Sequence, residues 1–291
     1  MTVEFSNPES PAETTGSQSI ERATRLLGMV AEGQHGGSSL AQLVAQSGLK
    51  QATVRRLLVA LIRAGLVEQD DETRRYFLGV SSYVFGVIAA ERFGQFPMAD
   101  AAVRRLAERS EDTAFFCVRQ GVNTLCLKRE EGVHPFRSHV LNVGQRHPLG
   151  VAAHGIAILA ALPEREADAI IACNLDIYRE SYPMLTETRL RGLLAETRQR
   201  GWALNPGVFH AGAWAISIAV RGVRGEVLGA LSVGAMEDRL GASRQPQIVS
   251  ILKVEARKLE TAFAAIGAQA IRPEGNKTTT MRTSGKGNPS L

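Results

Sequence analysis

The fold is decided by residues Ser38–Gly79, whose sequence is SSLAQLVAQSGLKQATVRRLLVALIRAGLVEQDDETRRYFLG. Over residues 40–44 the apolar side chains recur at the spacing of one helical face. Ser39 precedes this run, where its hydroxyl can accept a hydrogen bond from an unpaired amide of the first turn. Gly48 then interrupts the pattern with a residue that tolerates left-handed backbone. These signals predict a short helix followed by a tight turn.

A second helix is predicted to follow this turn and to end at Gly65, a common helix stop. Its apolar stripe consists of Val54, Leu57, Leu58, Leu61 and Ile62. Residues 66–68 and 76–78 are then short strand-like runs, joined by the acidic turn 70–72. Two helices and a hairpin in this order are typical of a winged helix-turn-helix.

The polar face of the second helix indicates DNA as the partner, since residues 47–67 hold four cations and no acid. Gln51 and Arg55 are predicted to contact adenine and guanine in the major groove, while Thr53 and Arg56 are predicted to contact phosphates. The wing is expected to reach the backbone or minor groove. The candidate DNA-binding residues are Ser39, Lys50, Gln51, Thr53, Arg55, Arg56, Arg74 and Arg75. The alternative is a helical hairpin of an ordinary core with a solvated basic face.

Charge and cysteine content limit which partners and which cellular compartment are expected for this chain. The net charge is +5 and the pI about 9.4, which suits a polyanion, but the first 94 residues hold nine basic and ten acidic residues. The DNA prediction therefore depends on clustering of charge. Cys117, Cys126 and Cys173 form no C-x-x-C pair. Their odd number in a chain of this size favours reduced thiols in the cytoplasm. Cys117 and Cys126 are predicted at buried strand positions, with a redox sensor as the alternative.

Changes in composition along the chain predict five segments. Residues 1–17 and 271–291 are expected to be disordered tails, 18–79 the DNA-binding domain, and 80–94 a linker helix too apolar to stand alone in water. Residues 95–270 are expected to form an effector-binding and oligomerisation domain. Its predicted strands are 114–119, 124–129, 136–141, 202–204, 213–220 and 227–233, and its predicted helices 98–109, 151–162, 164–173, 187–200 and 246–265. This order predicts an α+β domain with a mainly antiparallel sheet.

No motif in the second domain indicates catalysis, a cofactor or a metal. The sequence lacks a nucleophile elbow, a phosphate-binding P-loop and a zinc-protease helix. His134 and His139 have a possible ligand spacing, but no Cys or acidic pattern completes a tetrahedral set. His154 is expected to be exposed or to cap a helix. No apolar run is long enough for a membrane span. An enzyme or a purely architectural DNA-binding oligomer remain the alternatives to a sensor.

Three motifs resemble those of IclR-type transcriptional regulators. Residues 146–160 (RHPLGVAAHGIAILA) resemble the family's PLHATASGKALLA signature, and residues 212–220 (GAWAISIAV) resemble its GVxSIAAPV strand. Residues 225–233 (GEVLGALSV) resemble the strand after it. The resemblance covers roughly residues 18–265. It implies a winged helix-turn-helix, a linker helix and a GAF-like effector domain that binds a small organic molecule.

The resemblance also implies a set of effector-binding residues. The residues that align with the family motifs are Ser138, Leu149, Gly155, Asn205, Ala215, Ser232 and Gly234. Trp214 is added as an aromatic lining residue, with plain core packing as the alternative. The chain departs from the family at Asn205-Pro206-Gly207, where acidic residues are usual, and at Ala215 and Ala219. These departures favour a less polar pocket and an organic or aromatic acid as ligand.

The sequence thus predicts a cytoplasmic, ligand-responsive transcriptional regulator, either a homodimer or a dimer of dimers. Whether it represses or activates is left open. We expect Arg55→Ala to relax base preference, and we expect loss of Arg56 or Arg75 to weaken binding to all sequences and to flatten the salt dependence.

Overall fold

The computed structural model describes residues 17–33, 36–92, 98–134 and 141–270. The predicted strand 136–141, Ser138 and His139 therefore lie outside the described residues, apart from Leu141. In the described part of the chain, no helix is long and apolar enough to cross a membrane.

The N-terminal part is a winged helix-turn-helix, as predicted. Its elements are α1 (Ser17–Glu32), α2 (Leu40–Ser47), α3 (Gln51–Arg63), β1 (Val67–Gln69), β2 (Tyr76–Leu78) and α4 (Val80–Arg92). The first three helices bury one small core that includes Leu26, Leu43, Leu58 and Val67. The strands pair antiparallel as the wing. The basic face of α3 is left outside this core.

Local signals fix the turn between α2 and α3. Ser39 caps α2 by accepting a hydrogen bond from the Gln42 amide (3.2 Å), and its own amide donates to Gln42 Oε1 (2.8 Å). This reciprocal arrangement is a capping box. Gly48 ends the helix at φ 65°, a conformation that a side chain disfavours. The cap and the turn together set where α3 begins.

The C-terminal part is an α+β domain built on a six-stranded antiparallel sheet. Its helices are α5 (Met98–Ser110), α6 (Ala153–Ala161), α7 (Glu164–Ser181), α8 (Glu187–Arg200) and α9 (Gln245–Ala270). Its strands are β3 (Thr113–Gln120), β4 (Asn123–Glu130), β5 (Arg146–Pro148), β6 (Ala203–His210), β7 (Ala213–Arg221) and β8 (Val227–Met236). The strand order is β5-β4-β3-β8-β7-β6.

The two faces of this sheet have different partners. One face, with Phe116, Ile216 and Leu231, packs against α5 and α9. The other face packs in part against α6, α7 and α8 through residues such as Ala203 and Ala230. We call this second surface the inner face.

A buried carboxylate links α5 and α9, the two helices that pack on the face of the sheet opposite the inner face. The Glu255 side chain is fully buried, and its Oε2 lies 2.7 Å from Arg105 Nη2 while its Oε1 lies 2.8 Å from Lys258 Nζ. Burial alone would raise the pKa of Glu255, but hydrogen bonds from Arg105 and Lys258 outweigh it, so the pKa is lowered. The charged form therefore stabilises the packing of α5 against α9.

Three elements of this domain differ from the sequence prediction. Helix α7 continues to Ser181, well past Cys173, because Asn174 donates to the Val122 carbonyl (2.9 Å) and Tyr178 is buried beyond it. Strand β6 continues through Pro206 to His210, which is possible because it is an edge strand with a shift in pairing. The short strand β5 was not predicted.

Candidate DNA-binding surface and effector site

Helix α3 presents a polar surface from its first two turns. Gln51, Arg55 and Arg56 are exposed, Thr53 is half-buried, and Lys50 caps the helix through its backbone only. At about 100° per residue, Gln51 and Arg55 lie on one flank of the exposed face. Arg56 lies nearer its centre, and Thr53 lies on the other flank. The predicted base-contacting and phosphate-contacting residues therefore occupy different parts of one accessible surface.

The two arginines of the wing differ in their surroundings. The Arg74 side chain is 67% exposed, and its nearest acidic partner, Asp71, is 3.9 Å away. Arg75 Nη1 instead donates to the carbonyl oxygens of Gly36 (3.1 Å) and Gly37 (3.0 Å), just before α2. Arg75 thus anchors the wing to the chain that leads into the helix-turn-helix. This gives it a structural partner that the sequence analysis did not predict.

The tip of the wing is acidic and stays charged. Thr73 donates to Asp70 Oδ1 from both its hydroxyl (2.6 Å) and its amide (2.7 Å), and these bonds lower the pKa of Asp70. An anionic tip disfavours contact with phosphates. Arg74 is therefore the wing residue best placed to contact DNA, and Ser39 is occupied by its capping role.

Four of the predicted effector-binding residues lie together on the inner face of the sheet. Asn205 pairs with Ala215, and Ala215 pairs with Gly234, so these three residues form one row across β6, β7 and β8. Ser232 lies two residues from Gly234 and shares its face. In the next row Ser232 pairs with Ser217 on one side and Phe115 on the other. Two adjacent rows therefore define a candidate effector site.

The polar atoms of this site are buried and ordered. Ser232 Oγ donates to Ser217 Oγ (2.8 Å), which in turn donates to the Leu231 carbonyl (2.8 Å). Ser217 was missed in the sequence analysis, although its position two residues after Ala215 places it on the same face. Asn205 Nδ2 donates to the Val151 carbonyl (2.7 Å), so it holds the loop before α6 against β6.

Apolar and cationic groups border these serines. Phe115, Cys117, Cys126 and Leu141 form a small buried cluster on the inner face. Arg129 pairs with Phe115 across the β3–β4 ladder, so it belongs to the same face, and its Nη2 lies 2.8 Å from Glu131. The candidate site thus combines hydroxyls, an aromatic ring and a guanidinium group.

Three predicted effector residues lie elsewhere. Trp214 is adjacent to Ala215 and packs on the opposite face with the α5–α9 core, so it does not line the same surface. Leu149 is fully buried in the core of α6, α7 and α8. Gly155 packs against the backbone of Gly150, since a Cβ at position 155 would lie 2.8 Å from the Gly150 amide nitrogen. For Trp214 the structure favours core packing, on the face of the sheet opposite the candidate effector site.

Two histidines near the inner face are buried, contrary to the expectation that His154 is exposed or caps a helix. His154 Nε2 lies 3.2 Å from Thr124 Oγ1, and His147 Nδ1 lies 3.4 Å from Tyr182 Oη. Burial lowers the pKa of His147 to about 4, and burial with the nearby charge of His147 lowers the pKa of His154 to about 3. Both rings are therefore neutral at neutral pH. Among the described residues, no cluster of three metal-ligating side chains is found.

These features define a class of protein, a transcriptional regulator that binds DNA through an N-terminal winged helix-turn-helix. Residues 19–71 match the family described as "IclR helix-turn-helix domain". Residues 90–261 match "Bacterial transcriptional regulator IclR C-terminal". The chain belongs to the IclR family, and the resemblance predicted from its motifs is confirmed.

Individual relatives agree with this assignment over most of the chain. The probable HTH-type transcriptional regulator ArcR of Halobacterium salinarum is 28% identical, with 90% of this chain and all of the relative covered. The transcriptional repressor IclR of Escherichia coli is 23% identical, with 88% of this chain and 93% of the relative covered. A solved IclR regulator from Alicyclobacillus acidocaldarius is 25% identical, covers 84% of this chain and 98% of its own, and has a TM-score of 0.68.

The matched families and relatives are regulators of transcription and not enzymes. The chain is accordingly a regulator, and the enzymatic alternative is set aside.

Proposed function

We propose that this regulator controls a catabolic operon in the cytoplasm in response to a small organic or aromatic acid. The proposal that the domain binds a small ligand rests on the buried Ser232–Ser217 hydroxyl pair beside Phe115 on the inner face of the sheet. Buried polar groups in an apolar setting are the usual means by which a pocket orients a small ligand.

The acid class is favoured by the groups around these hydroxyls. Arg129 on the same face carries a guanidinium group that would hold a carboxylate beside its partner Glu131, and the Phe115 ring supplies an apolar surface for the body of the ligand. Ser232 Oγ and Ser217 Oγ supply hydroxyls for a second polar group. A relative from Microbacterium hydrocarbonoxydans, 21% identical, is described in complex with 4-hydroxybenzoate. That compound is therefore a reasonable first member of a test panel.

On the DNA side, we propose that residues 18–79 form the operator-binding unit. Lys50, Arg56, Thr53 and Arg74 would contact phosphates, and Gln51 and Arg55 would contact bases. Phosphate contacts set position and base contacts set specificity. Residues 95–270 would form the effector-binding and oligomerisation unit.

Helix α4 is proposed to join two copies of the chain. Val80, Tyr83, Phe85 and Ile88 are each 60–73% exposed, so the helix presents apolar surface around much of its length. Exposed apolar patches of this kind mark interaction surfaces. The first turn of α4 is tied to the DNA-binding unit, because Ser82 Oγ donates to the Leu66 carbonyl (2.8 Å). A homodimer, or a dimer of dimers, would set the spacing of two recognition helices.

The effector proposal is tested with a panel of short and aromatic carboxylic acids, 4-hydroxybenzoate included. The thermal unfolding temperature and the affinity for upstream DNA are measured with and without each compound, since a ligand that binds the folded state stabilises it. At least one acid should shift both quantities, and Ser232→Ala should weaken the shift. Trp214→Phe, on the opposite face, should leave it unchanged. A panel without any effect would contradict the acid class, and equal responses of both variants would contradict the site.

A further inference from the structure

The inner face carries a pair of thiols to which the proposed functions assign no chemical role. Cys117 on β3 and Cys126 on β4 are direct register partners, and both are free and fully buried. Phe115 and Leu141 complete the cluster around them. Directly opposed partners project from the same face of a sheet, so the two sulfur atoms lie side by side.

The backbone shows which kind of cross-strand pair this is. The Cys126 amide donates to the Gln145 carbonyl (3.0 Å), and the Gly144 amide donates to the Cys126 carbonyl (2.9 Å). Both backbone groups of Cys126 therefore point away from β3. Cys117 and Cys126 form a non-hydrogen-bonded pair, the type in which opposed Cα atoms approach to about 4.5 Å and side chains are closer.

Pairs of this type have the Cα separation that a disulfide needs, usually about 4.4–6.8 Å. Burial raises the pKa of the Cys117 thiol, and the neighbouring Cys126 raises it further. A pairing shift between Phe116 and Cys117 marks a local irregularity, which gives the strands room to adjust.

We propose that Cys117 and Cys126 are a modification site, at which a peroxide oxidises the two thiols to a reversible intrachain disulfide. One thiolate attacks a peroxide oxygen, the O–O bond breaks, and the sulfenic acid forms with release of water once the departing oxygen is protonated. The second sulfur then attacks the sulfenic sulfur, the S–O bond breaks, and a second water leaves. Two thiols and one hydrogen peroxide thus give one disulfide and two waters.

The neighbourhood gives this bond a structural consequence. It would tie β3 to β4 beside Phe115, next to the Ser232–Ser217 pair, and it would remove two S–H groups from the inner face. The proposal does not depend on effector binding, because it concerns chemistry that the chain carries out without a ligand. Because burial keeps the Cys117 thiol protonated, the reaction is expected to be slower than oxidation of an exposed thiol.

The test uses the full chain, treated with hydrogen peroxide, denatured with an alkylating reagent and measured by intact mass and peptide mapping. We expect loss of two hydrogen atoms, protection of Cys117 and Cys126 from alkylation, and recovery of both thiols with dithiothreitol. Cys173→Ala is the matched control, because Cys173 is the exposed third thiol. It should retain the mass loss, whereas Cys117→Ala and Cys126→Ala should abolish it.

Other products would overturn the proposal. These are oxidation confined to Cys173, oxygen addition at Cys117 or Cys126 without loss of hydrogen, or a disulfide that joins two chains. A Cys117–Cys126 pair that stays unreacted after exposure to peroxide many times longer than full oxidation of the exposed Cys173 requires would overturn it as well. Each of these outcomes is measured on the wild-type chain, so the conclusion does not depend on whether a variant folds.

Discussion

Arg74 and Arg75 are adjacent in the wing, and the structure predicts opposite consequences for their replacement by alanine. Arg75 donates two hydrogen bonds to the carbonyl oxygens of Gly36 and Gly37. Arg74 is exposed and lies 3.9 Å from its nearest acid. Arg75→Ala should therefore destabilise the DNA-binding unit, and Arg74→Ala should weaken DNA binding without destabilising it.

The size of each effect follows from these contacts. A hydrogen bond to a charged group contributes about 1.5–3 kcal/mol when well shielded. Both bonds of Arg75 come from one nitrogen near the surface, so we expect a loss of about 1–2 kcal/mol in the free energy of unfolding. Removing one phosphate contact lowers the slope of log affinity against log salt concentration by about 0.9. Arg74→Ala should show that change, and Arg75→Ala should not.

Both quantities can be measured on the same preparations. Chemical unfolding followed by circular dichroism gives stability, and fluorescence anisotropy on duplex DNA at several salt concentrations gives the slope. The DNA measurements are made well below the unfolding temperature, so that all three proteins are folded. A reduced salt slope with unchanged stability for Arg75→Ala would refute the anchoring role and restore the sequence-based prediction of a phosphate contact.

Three further predictions concern the second domain, each measured by thermal or chemical unfolding. Glu255→Gln should lower the free energy of unfolding by about 2 kcal/mol. This is less than the ~3–5 kcal/mol expected when one partner of a fully buried ion pair is removed, because the Arg105 side chain is 41% exposed. Since the pKa of Glu255 is lowered, its contribution should persist above pH 4.5 and be lost as the pH falls further. His147 has a pKa of about 4 when folded and 6.5 ordinarily, so it should lower the free energy of unfolding by up to about 3 kcal/mol as the pH drops between those values. His147→Phe should remove this contribution and leave that of His154, whose folded pKa is about 3. Gly155→Ala should lower the free energy of unfolding by about 1–3 kcal/mol, because the new Cβ would contact Gly150. Gly192→Ala should not destabilise the protein, because the space around Gly192 is open. Unchanged stability in Glu255→Gln or Gly155→Ala would contradict the corresponding contact, and an unchanged pH dependence in His147→Phe would contradict the burial of a neutral imidazole.

The DNA-binding unit was predictable from sequence because its determinants are local. The Ser39 cap, the Gly48 turn and the apolar stripe of α3 lie within a few residues of the elements they define. The role of Arg75 was not predictable in this way. Its partners, Gly36 and Gly37, are 39 and 38 residues away in the chain, and no periodic pattern reports such a contact.

Four residues predicted for the effector site share one face of the sheet, and strand geometry explains why Trp214 does not. Asn205, Ala215, Ser232 and Gly234 lie on one face, as the family motifs implied. Trp214 was assigned to the same pocket on residue type alone, although neighbours in a strand point to opposite faces. That alternation, applied to residues 213–220, would have excluded Trp214 and included Ser217.

The buried histidines and the length of β6 depended on tertiary contacts. His154 is buried because α6 lies over Thr124, which is 30 residues away in the chain. Strand β6 contains the turn-like sequence Asn205-Pro206-Gly207, yet it pairs with β7 as an edge strand that tolerates proline. The strand predicted from sequence ends at Leu204, and the Asn205 bond to Val151 helps to hold the longer strand in place.

The central claim is that α3 reads DNA sequence, and a binding titration on the intergenic DNA beside the gene tests it most directly. Wild type and Arg55→Ala are titrated at fixed salt against that DNA and against random DNA of equal length. We expect wild type to prefer the intergenic DNA, and we expect Arg55→Ala to lose about 1–3 kcal/mol on it while binding random DNA almost as before. No preference by the wild type, or equal losses on both DNAs for Arg55→Ala, would contradict the account.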